Sequence, residues 1–367
     1  MVTEGTWTSP KAGPPAAIPT SGPSSVVRVD DQPSAGEWEE FIAHHPAASF
    51  YHRWGWRSVF ERVFRQQCIY LAARGTHGIV GVLPLVVFRS ILFGRFAVSL
   101  PFVNYGGILA DDEAVGRALL GEAKAVAERH RLSYIELRHL DARFRELPAK
   151  HHKVAMWLSL PKDVDALWQH LDRKVRNQIR KAEKSNLTVV SGGAELVEDF
   201  YAVFARNMRD LGTPVYAREL FEQVLSEFPD ESRLFVVRLK DEPVAAGGTI
   251  TWRDTVENPW ASSLREHRAL CPNMLLYWAM LKSSVENGAS RFDFGRSTPN
   301  EGTFHFKQQW GAVPSPVSWE YQLLGGRENL PGLSPTNPKF RLVIEAWKHL
   351  PLPVATALGP RIVRSLP

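Results

Sequence analysis

FDFGRSTPNEGTFHFKQQWG, residues 292–311, is the stretch on which the reading of the fold turns. It opens as a buried strand, Phe292-Asp293-Phe294, and breaks at Gly295. A polar loop runs from Arg296 to Glu301, and after Gly302 the aromatic alternation resumes at Phe304 and Phe306, which predicts a second strand. Two residues stand out. Asp293 lies between two aromatics, so its carboxylate either faces solvent and caps the turn or takes a proton from a substrate. Lys307 lies between Phe306 and Trp310, behind a loop rich in backbone donors. A partly desolvated lysine there binds a phosphate or stabilises an oxyanion as a point charge; the alternative is a lysine snorkelling from a strand.

Working back from this stretch, the pattern predicts a helix over 273–287, a strand over 257–263, and a hairpin of 233–239 with 244–253. Helices are expected over 218–227 and 195–211, a strand over 187–190, and a long amphipathic helix over 163–184. An earlier round has a similar order: helices 37–43 and 54–64, strands 69–73, 81–88 and 95–99, helix 111–130, and strands 134–138 and 154–159. A last strand, 317–323, precedes a Pro- and Gly-rich segment, an amphipathic helix over 338–350 and a tail to 367. This is a mixed α and β class (α+β), with antiparallel hairpins rather than strict βαβ alternation.

The 367 residues are enough for two domains. The expected division is a leader over 1–25, a first domain over 26–160 completed by strand 317–324, a second over 161–316, and an extension over 325–367. The leader, rich in Pro, Gly, Ser and Thr, reads as disordered and lacks the apolar run of a signal peptide. The most apolar region, 79–110, is broken by Pro84, Arg89, Gly94, Arg95, Pro101 and Asn104, so no membrane span is expected. Two cysteines, Cys68 and Cys271, argue against a disulfide framework and for a reducing compartment. A net charge of +5 permits an anionic partner without requiring one. No Walker loop or G-x-S-x-G is present, and no histidine has metal-ligand spacing.

Other constellations carry two readings each. The helix over 163–184 holds Arg173, Lys174, Arg176, Arg180, Lys181 and Lys184 against Asp172 and Glu183: a phosphate-binding face, or a solvated one. The segment Arg268-Ala-Leu-Cys-Pro-Asn273-Met274 sits where a helix begins, and a helix N-terminus holds phosphates through free amides and its dipole. It reads equally as a plain helix start with Pro272 in the first turn. Asn104 and Tyr105, before Gly106 and Gly107, supply donors and stacking beside a close backbone approach, or form a plain turn. The cluster Tyr51-His-Arg-Trp-Gly-Trp-Arg57 suits a sugar or nucleotide, or is core.

Taken in order, these segments resemble the FemAB-like aminoacyl and acyl transferases. The resemblance runs through Leu100-Pro-Phe-Val-Asn-Tyr-Gly-Gly, Lys174-Val-Arg-Asn-Gln-Ile-Arg-Lys-Ala, Gly212-Thr-Pro-Val-Tyr216, Pro243-Val-Ala-Ala-Gly-Gly, Pro272-Asn-Met-Leu-Leu-Tyr-Trp and the 292–311 stretch, from about residue 25 to the C-terminus. The tail, with Trp347-Lys-His-Leu-Pro-Leu-Pro-Val-Ala and Leu358-Gly-Pro, resembles the subgroup associated with exosortase and PEP-CTERM systems. The resemblance implies two tandem GCN5-related acyltransferase-like domains, each a mostly antiparallel sheet flanked by helices. It also implies transfer of an acyl or aminoacyl group to an amine of a cell-envelope precursor, nucleotide- or lipid-linked and related to peptidoglycan or exopolysaccharide. The donor would be acyl-CoA or aminoacyl-tRNA, with no tightly bound cofactor and no metal. Lys307 holds the position of the family's catalytic lysine, with Asp293 as proton acceptor. Arg176, Arg180, Arg296 and Arg57 would hold phosphates or other substrate groups. Asn104, Tyr105 and Tyr216 would shape the acceptor side, and Arg268, Asn273 and Met274 would hold the donor. In this GCN5-related family the phosphate loop carries glycines where this chain has Cys271 and Asn273, and the coiled-coil arm of many tRNA-using members is absent. The expected location is cytoplasmic, with residues 338–367 touching the inner face of the membrane. The rival reading is a non-catalytic binding protein of an exosortase or polysaccharide system that keeps the fold.

Overall fold

The computed structural model describes residues 28–90, 93–331 and 338–366, without the side chains of 338–341. The expected disordered leader, 1–25, lies outside the described residues. The first half runs β1 (Arg28–Asp30), α1 (Ala35–His44), α2 (Gly55–Arg62), β2 (Gln67–Gly75), β3 (Gly78–Ser90), β4 (Gly94–Val98), β5 (Leu109–Ala110), α3 (Glu113–Arg129), β6 (Tyr134–His139) and β7 (Ala149–Lys150). The second runs β8 (Val154–Ser159), α4 (Val164–His170), α5 (Arg173–Lys184), β9 (Leu187–Gly192), α6 (Val197–Leu211), α7 (Arg218–Glu227), β10 (Ser232–Leu239), β11 (Glu242–Trp252), β12 (Thr255–Ser263), α8 (Pro272–Glu286), β13 (Arg291–Ser297), α9 (Gly302–Gln308) and β14 (Val313–Pro316). β15 (Ser318–Leu323), α10 (Pro338–Lys348) and α11 (Leu352–Val363) close the chain.

Two sheets repeat one plan. The first has the order β1-β2-β3-β4-β6-β15-β7, with β5 on β3; the second, read from its far edge, has β9-β10-β11-β12-β13-β8-β14. Within each path the neighbours are antiparallel except one parallel pair, β4 with β6 and β12 with β13. In both cases a helix, α3 or α8, crosses between the parallel partners, as a parallel connection requires. The sixth position is exchanged: β15, from the end of the chain, lies beside β6, and β8 lies beside β13. The boundary expected at residue 160 is therefore displaced, because strand 154–159 pairs with the second sheet.

Three cores follow from the strand alternation. One lies under α3 on the outer face of the first sheet. A second lies between the second sheet and α4, α5 and α8, and takes Phe292 and Phe294 of β13. The third joins the halves, where Phe50, Tyr51, Trp56 and Phe60 meet Phe200, Phe221 and Phe228.

The sequence reading differs from the structure at three places. The helix expected over 163–184 is two helices, with extended backbone at Leu171 and Asp172, because Asp163 caps the first and Asp172 starts the second. The strand expected after Gly302 is the helix α9: Phe304 and Lys307 are buried three residues apart, a helical spacing that the 304/306 alternation concealed. The tail is a second helix, α11, whose Pro353 sits harmlessly in the first turn. Among the described residues no helix is long and apolar enough to cross a membrane.

Candidate active site

β12 and β13 pair in parallel over only three residues, and the last rung joins Glu257 to Asp293. Phe292 and Phe294 point into the core behind the sheet, so Asp293 points forward, toward the first half of the chain. Side chains from that half meet both carboxyls. Tyr105 donates its hydroxyl to Asp293 Oδ2 at 2.5 Å, and the Gly295 amide donates to Oδ1 at 2.7 Å. Tyr51 donates to Glu257 Oε1 at 2.7 Å, and Asn104 Nδ2 donates to the same oxygen. The carbonyl end of Asn104 accepts from Arg296 Nε at 2.7 Å, which ties the network to the loop after β13. Among the described residues Glu257 Oε2 has no protein partner, and Glu257, Asp293 and Tyr105 line a cleft of about 250 Å³ between the halves.

Burial sets the electrostatics. Asp293 is 1% exposed and Glu257 is 7% exposed. Desolvation pushes both carboxyls above their usual range, Glu257 further because the Asp293 charge faces it while Tyr105 and Gly295 stabilise the Asp293 carboxylate. The two carboxyls thus titrate as a pair, giving up their last proton above the usual carboxylate range. Lys307 lies at the end of β13, its ammonium donating to the Gly295 carbonyl at 3.1 Å and the Arg296 carbonyl at 2.9 Å. Burial pulls its pKa down to about 8, against the favourable charge of Asp293. Arg296 lies over Trp319 at 4.4 Å, Arg138 lies over the same ring at 4.3 Å, and burial lowers Arg296 to about 10.

The loop that carries Asn104 and Tyr105 is clamped from behind. His139 accepts the Ile108 amide on Nε2 at 2.9 Å and meets Glu320 Oε2 through Nδ1 at 2.5 Å. That assigns the Nδ1–H tautomer and gives His139 a structural task, since its second nitrogen is spent on backbone. His52 donates through Nε2 to the Gly107 carbonyl at 3.1 Å, with Ser49 on its Nδ1.

Residues 169–308 match the family model described as an acetyltransferase (GNAT) domain. The structure of FemX superposes with a TM-score of 0.64 at 16% identity, covering 81% of this chain and 97% of that one. The chain has the FemAB-like GNAT fold. L-PGS from Bacillus licheniformis superposes on this FemAB-like chain with a TM-score of 0.54 at 11% identity, covering 91% of this chain and 98% of that one. A tandem GNAT protein from the clavulanic acid biosynthesis pathway superposes with a TM-score of 0.51 at 13% identity, covering 83% and 100%. No curated protein matches the sequence. The chain is thus a tandem GNAT scaffold in whose second half residues 169–308 match the acetyltransferase (GNAT) domain model.

In this FemAB-like scaffold, Lys307, Asp293, Asn104, Tyr105 and Arg296 from the sequence reading converge within one hydrogen-bonded cluster. Tyr216 packs beside Phe102 at 5.7 Å, near enough to Arg296 and Arg138 to feel their charge. Arg57 stands apart, paired with Glu61 at 3.0 Å and lying over Trp54. Arg176 and Arg180 are on α5, which packs on α8 behind the second sheet, away from the carboxyls; Arg180 lies over Trp168 at 5.3 Å. Arg268 is exposed, Asn273 half-buried, and Met274 belongs to the core behind the sheet. Pro272 has no amide hydrogen, and the Met274 and Leu275 amides both point at the Cys271 carbonyl, so α8 offers few free donors to a phosphate.

Glu257, Arg138 and Trp319 escaped the sequence reading, and Tyr51 entered it only as part of the 51–57 cluster. The strand was expected to start at Glu257, but β12 begins at Thr255, and Tyr51 and Asn104 close over Glu257 from 206 and 153 residues away in sequence.

Proposed function

We propose that this chain transfers an acyl or aminoacyl group from an activated donor to an amine held in the cleft between its halves. The observation that carries this reading is the Glu257–Asp293 pair, buried on the last rung before β12 and β13 part and open to the cleft. The amine nitrogen bonds to the carbonyl carbon of a thioester or ester, and the carbon–sulfur or carbon–oxygen bond to the leaving group breaks. The ammonium proton passes to the carboxyl pair, and the leaving thiolate or alkoxide is protonated in turn. Lys307, anchored on two carbonyls, supplies positive charge where negative charge develops. The FemAB resemblance supports an envelope precursor as acceptor, nucleotide- or lipid-linked, and the tail adds an exosortase- or exopolysaccharide-related setting. The donor is acyl-CoA or aminoacyl-tRNA. The few free amides at the start of α8 favour the second of these, since a CoA pyrophosphate would lack its usual cradle.

The test is incorporation of label from acetyl-CoA, longer acyl-CoAs and aminoacyl-tRNA into amine acceptors, with thermal shift in parallel. Neither transfer nor stabilisation with any donor would overturn the activity and leave the non-catalytic binding protein. Lys307→Ala should lower turnover roughly 100-fold, the scale of losing one electrostatic contact to the transition state, with the circular dichroism spectrum retained. Near-normal turnover would remove Lys307 from the reaction.

We further propose that α10 and α11 rest on an anionic lipid surface. Both pack on α6, burying Trp347, Ala355 and Val363, while Leu342 is 77% and Val343 62% exposed, and Val354, Leu358 and Ile362 are exposed beside Arg361. Of the apolar face expected on 338–350, Trp347 thus turns inward and Val343 outward; the side chain of Phe340 lies outside the described residues. Full-length protein should float with phosphatidylglycerol vesicles, and Leu342→Asp with Val343→Asp should reduce the floated fraction several-fold. Equal flotation of the double variant would move the contact elsewhere.

A further inference from the structure

The wall of the cleft is a grid set by strand register. Across β8, β13, β12 and β11, one row is Trp157, Asp293, Glu257 and Ile250, and the next row is Ser159, Arg291, Thr255 and Trp252. Arg291 and Asp293 are two residues apart on one strand, so they share a face with their Cα atoms about 6.6 Å apart. The inner row therefore carries negative charge at its centre, on Asp293 and Glu257, and the outer row positive charge on Arg291.

The positive charge at the mouth is free. Arg291 is exposed and lies over Trp157 at 4.7 Å; its guanidinium makes no hydrogen bond or ion pair among the described residues, although its charge is felt by the Asp254 and Asp293 carboxylates. Its neighbours are committed elsewhere. Arg253 spends its guanidinium on the carbonyls of Pro46, Ile42, Ala43 and His45 at the end of α1. Asp254, at the same mouth, accepts the hydroxyls of Ser290 and Thr255. At the bottom, Glu257 Oε2 has no protein partner, and apolar surface from Phe50, Tyr105, Leu140, Trp157 and Trp252 lies between. The volume, about 250 Å³, is below the roughly 300–1,000 Å³ typical of sites for whole drug-sized ligands, so it takes one residue-sized end of a larger molecule.

We infer that the cleft selects an acceptor whose amine and carboxylate belong to the same amino-acid unit. The ammonium sits on the Glu257–Asp293 rung, the carboxylate meets Arg291, and the carbon chain crosses Trp157 and Trp252. This rests on the proposed transfer to an amine and adds the substrate class: a zwitterionic amino-acid end rather than a simple amine or an amino sugar.

Lysine and 1,5-diaminopentane test it, since they differ only by the carboxylate. Calorimetry on the whole chain, without donor and at low ionic strength, should show lysine binding about tenfold tighter, the value of roughly 1.4 kcal/mol from one partly exposed charge-assisted contact. Arg291→Gln, a change at an exposed side chain, should abolish the difference between the two ligands. Equal affinities in the wild type, or a preference that survives Arg291→Gln, would overturn the inference. Diaminopentane binding and acylation without a carboxylate preference would leave amine transfer standing while sinking the zwitterion. Preference for lysine with no transfer from any donor would uphold the zwitterion site and sink the transfer.

Discussion

Glu257→Gln should lower acyl transfer by about 10²–10⁴-fold, the usual contribution of a positioned general base, while the fold survives. The wild-type rate should climb as pH rises past the ordinary carboxylate range, because desolvation and the facing Asp293 charge keep a proton on Glu257 until then. In the variant that climb should vanish. The same shift fixes the sign of a stability effect. The native state holds the Glu257 proton more tightly than the unfolded chain does, so this group's stabilisation is complete below its unfolded pKa, near 4.5, and is lost as pH rises through the raised native value. Glutamine carries no such loss, so the variant should gain thermal stability over the wild type progressively from pH 5 to the alkaline side. Lys307 acts in the opposite sense: its native pKa, lowered from 10.5 to about 8, gives stability that is present above 10.5 and lost as pH falls through 8. Comparing variant with wild type at each pH largely removes the Lys307 contribution. An unchanged pH–rate profile in Glu257→Gln would exclude it as the base.

What could be read beforehand divides along the range of the interactions. Strands such as β8 and helices such as α7 are set by local periodicity, and the sequence bounds match the observed ones, 154–159 and 218–227. The apolar stripe of the amphipathic helix expected over 163–184, Leu167, Trp168, Leu171, Val175 and Ile179, is the face turned to the core, with Trp168 only partly buried, even though the helix breaks at Leu171 and Asp172, because α4 and α5 pack on the same core. Lys307 and Asp293 were visible because a charged residue among aromatics is a local anomaly. Glu257 was not, since a charge at the supposed end of a strand is unremarkable until partners more than 150 residues away bury it. The exchange of β8 and β15 is likewise a matter of which sheet edge lies nearer, and no local pattern records that. Short α9 shows the converse: seven residues hold too few turns for a 3.6-residue period to outweigh an accidental alternation.

Gly107→Ala should be strongly destabilising. An added Cβ would fall inside the His139 imidazole, and Gly107 itself is fixed by its amide on the Arg138 carbonyl at 3.0 Å and by His52 on its own carbonyl. The ring cannot swing aside without breaking its contacts to the Ile108 amide and to Glu320, which in turn holds the Phe144 amide at 2.6 Å. Overpacking of this kind costs about 1–3 kcal/mol where neighbours can adjust, and the pinned ring places this site at or above the upper end. The displacement runs directly into Asn104 and Tyr105, so transfer activity should fall with stability rather than independently of it. A second substitution separates the cause from a general intolerance of change. In a His139→Ala background the imidazole is gone, and adding Gly107→Ala should cost less than about 1 kcal/mol, a coupling that urea unfolding of the four proteins measures as a double-mutant cycle. An equal cost in both backgrounds would mean that the imidazole is not the obstacle.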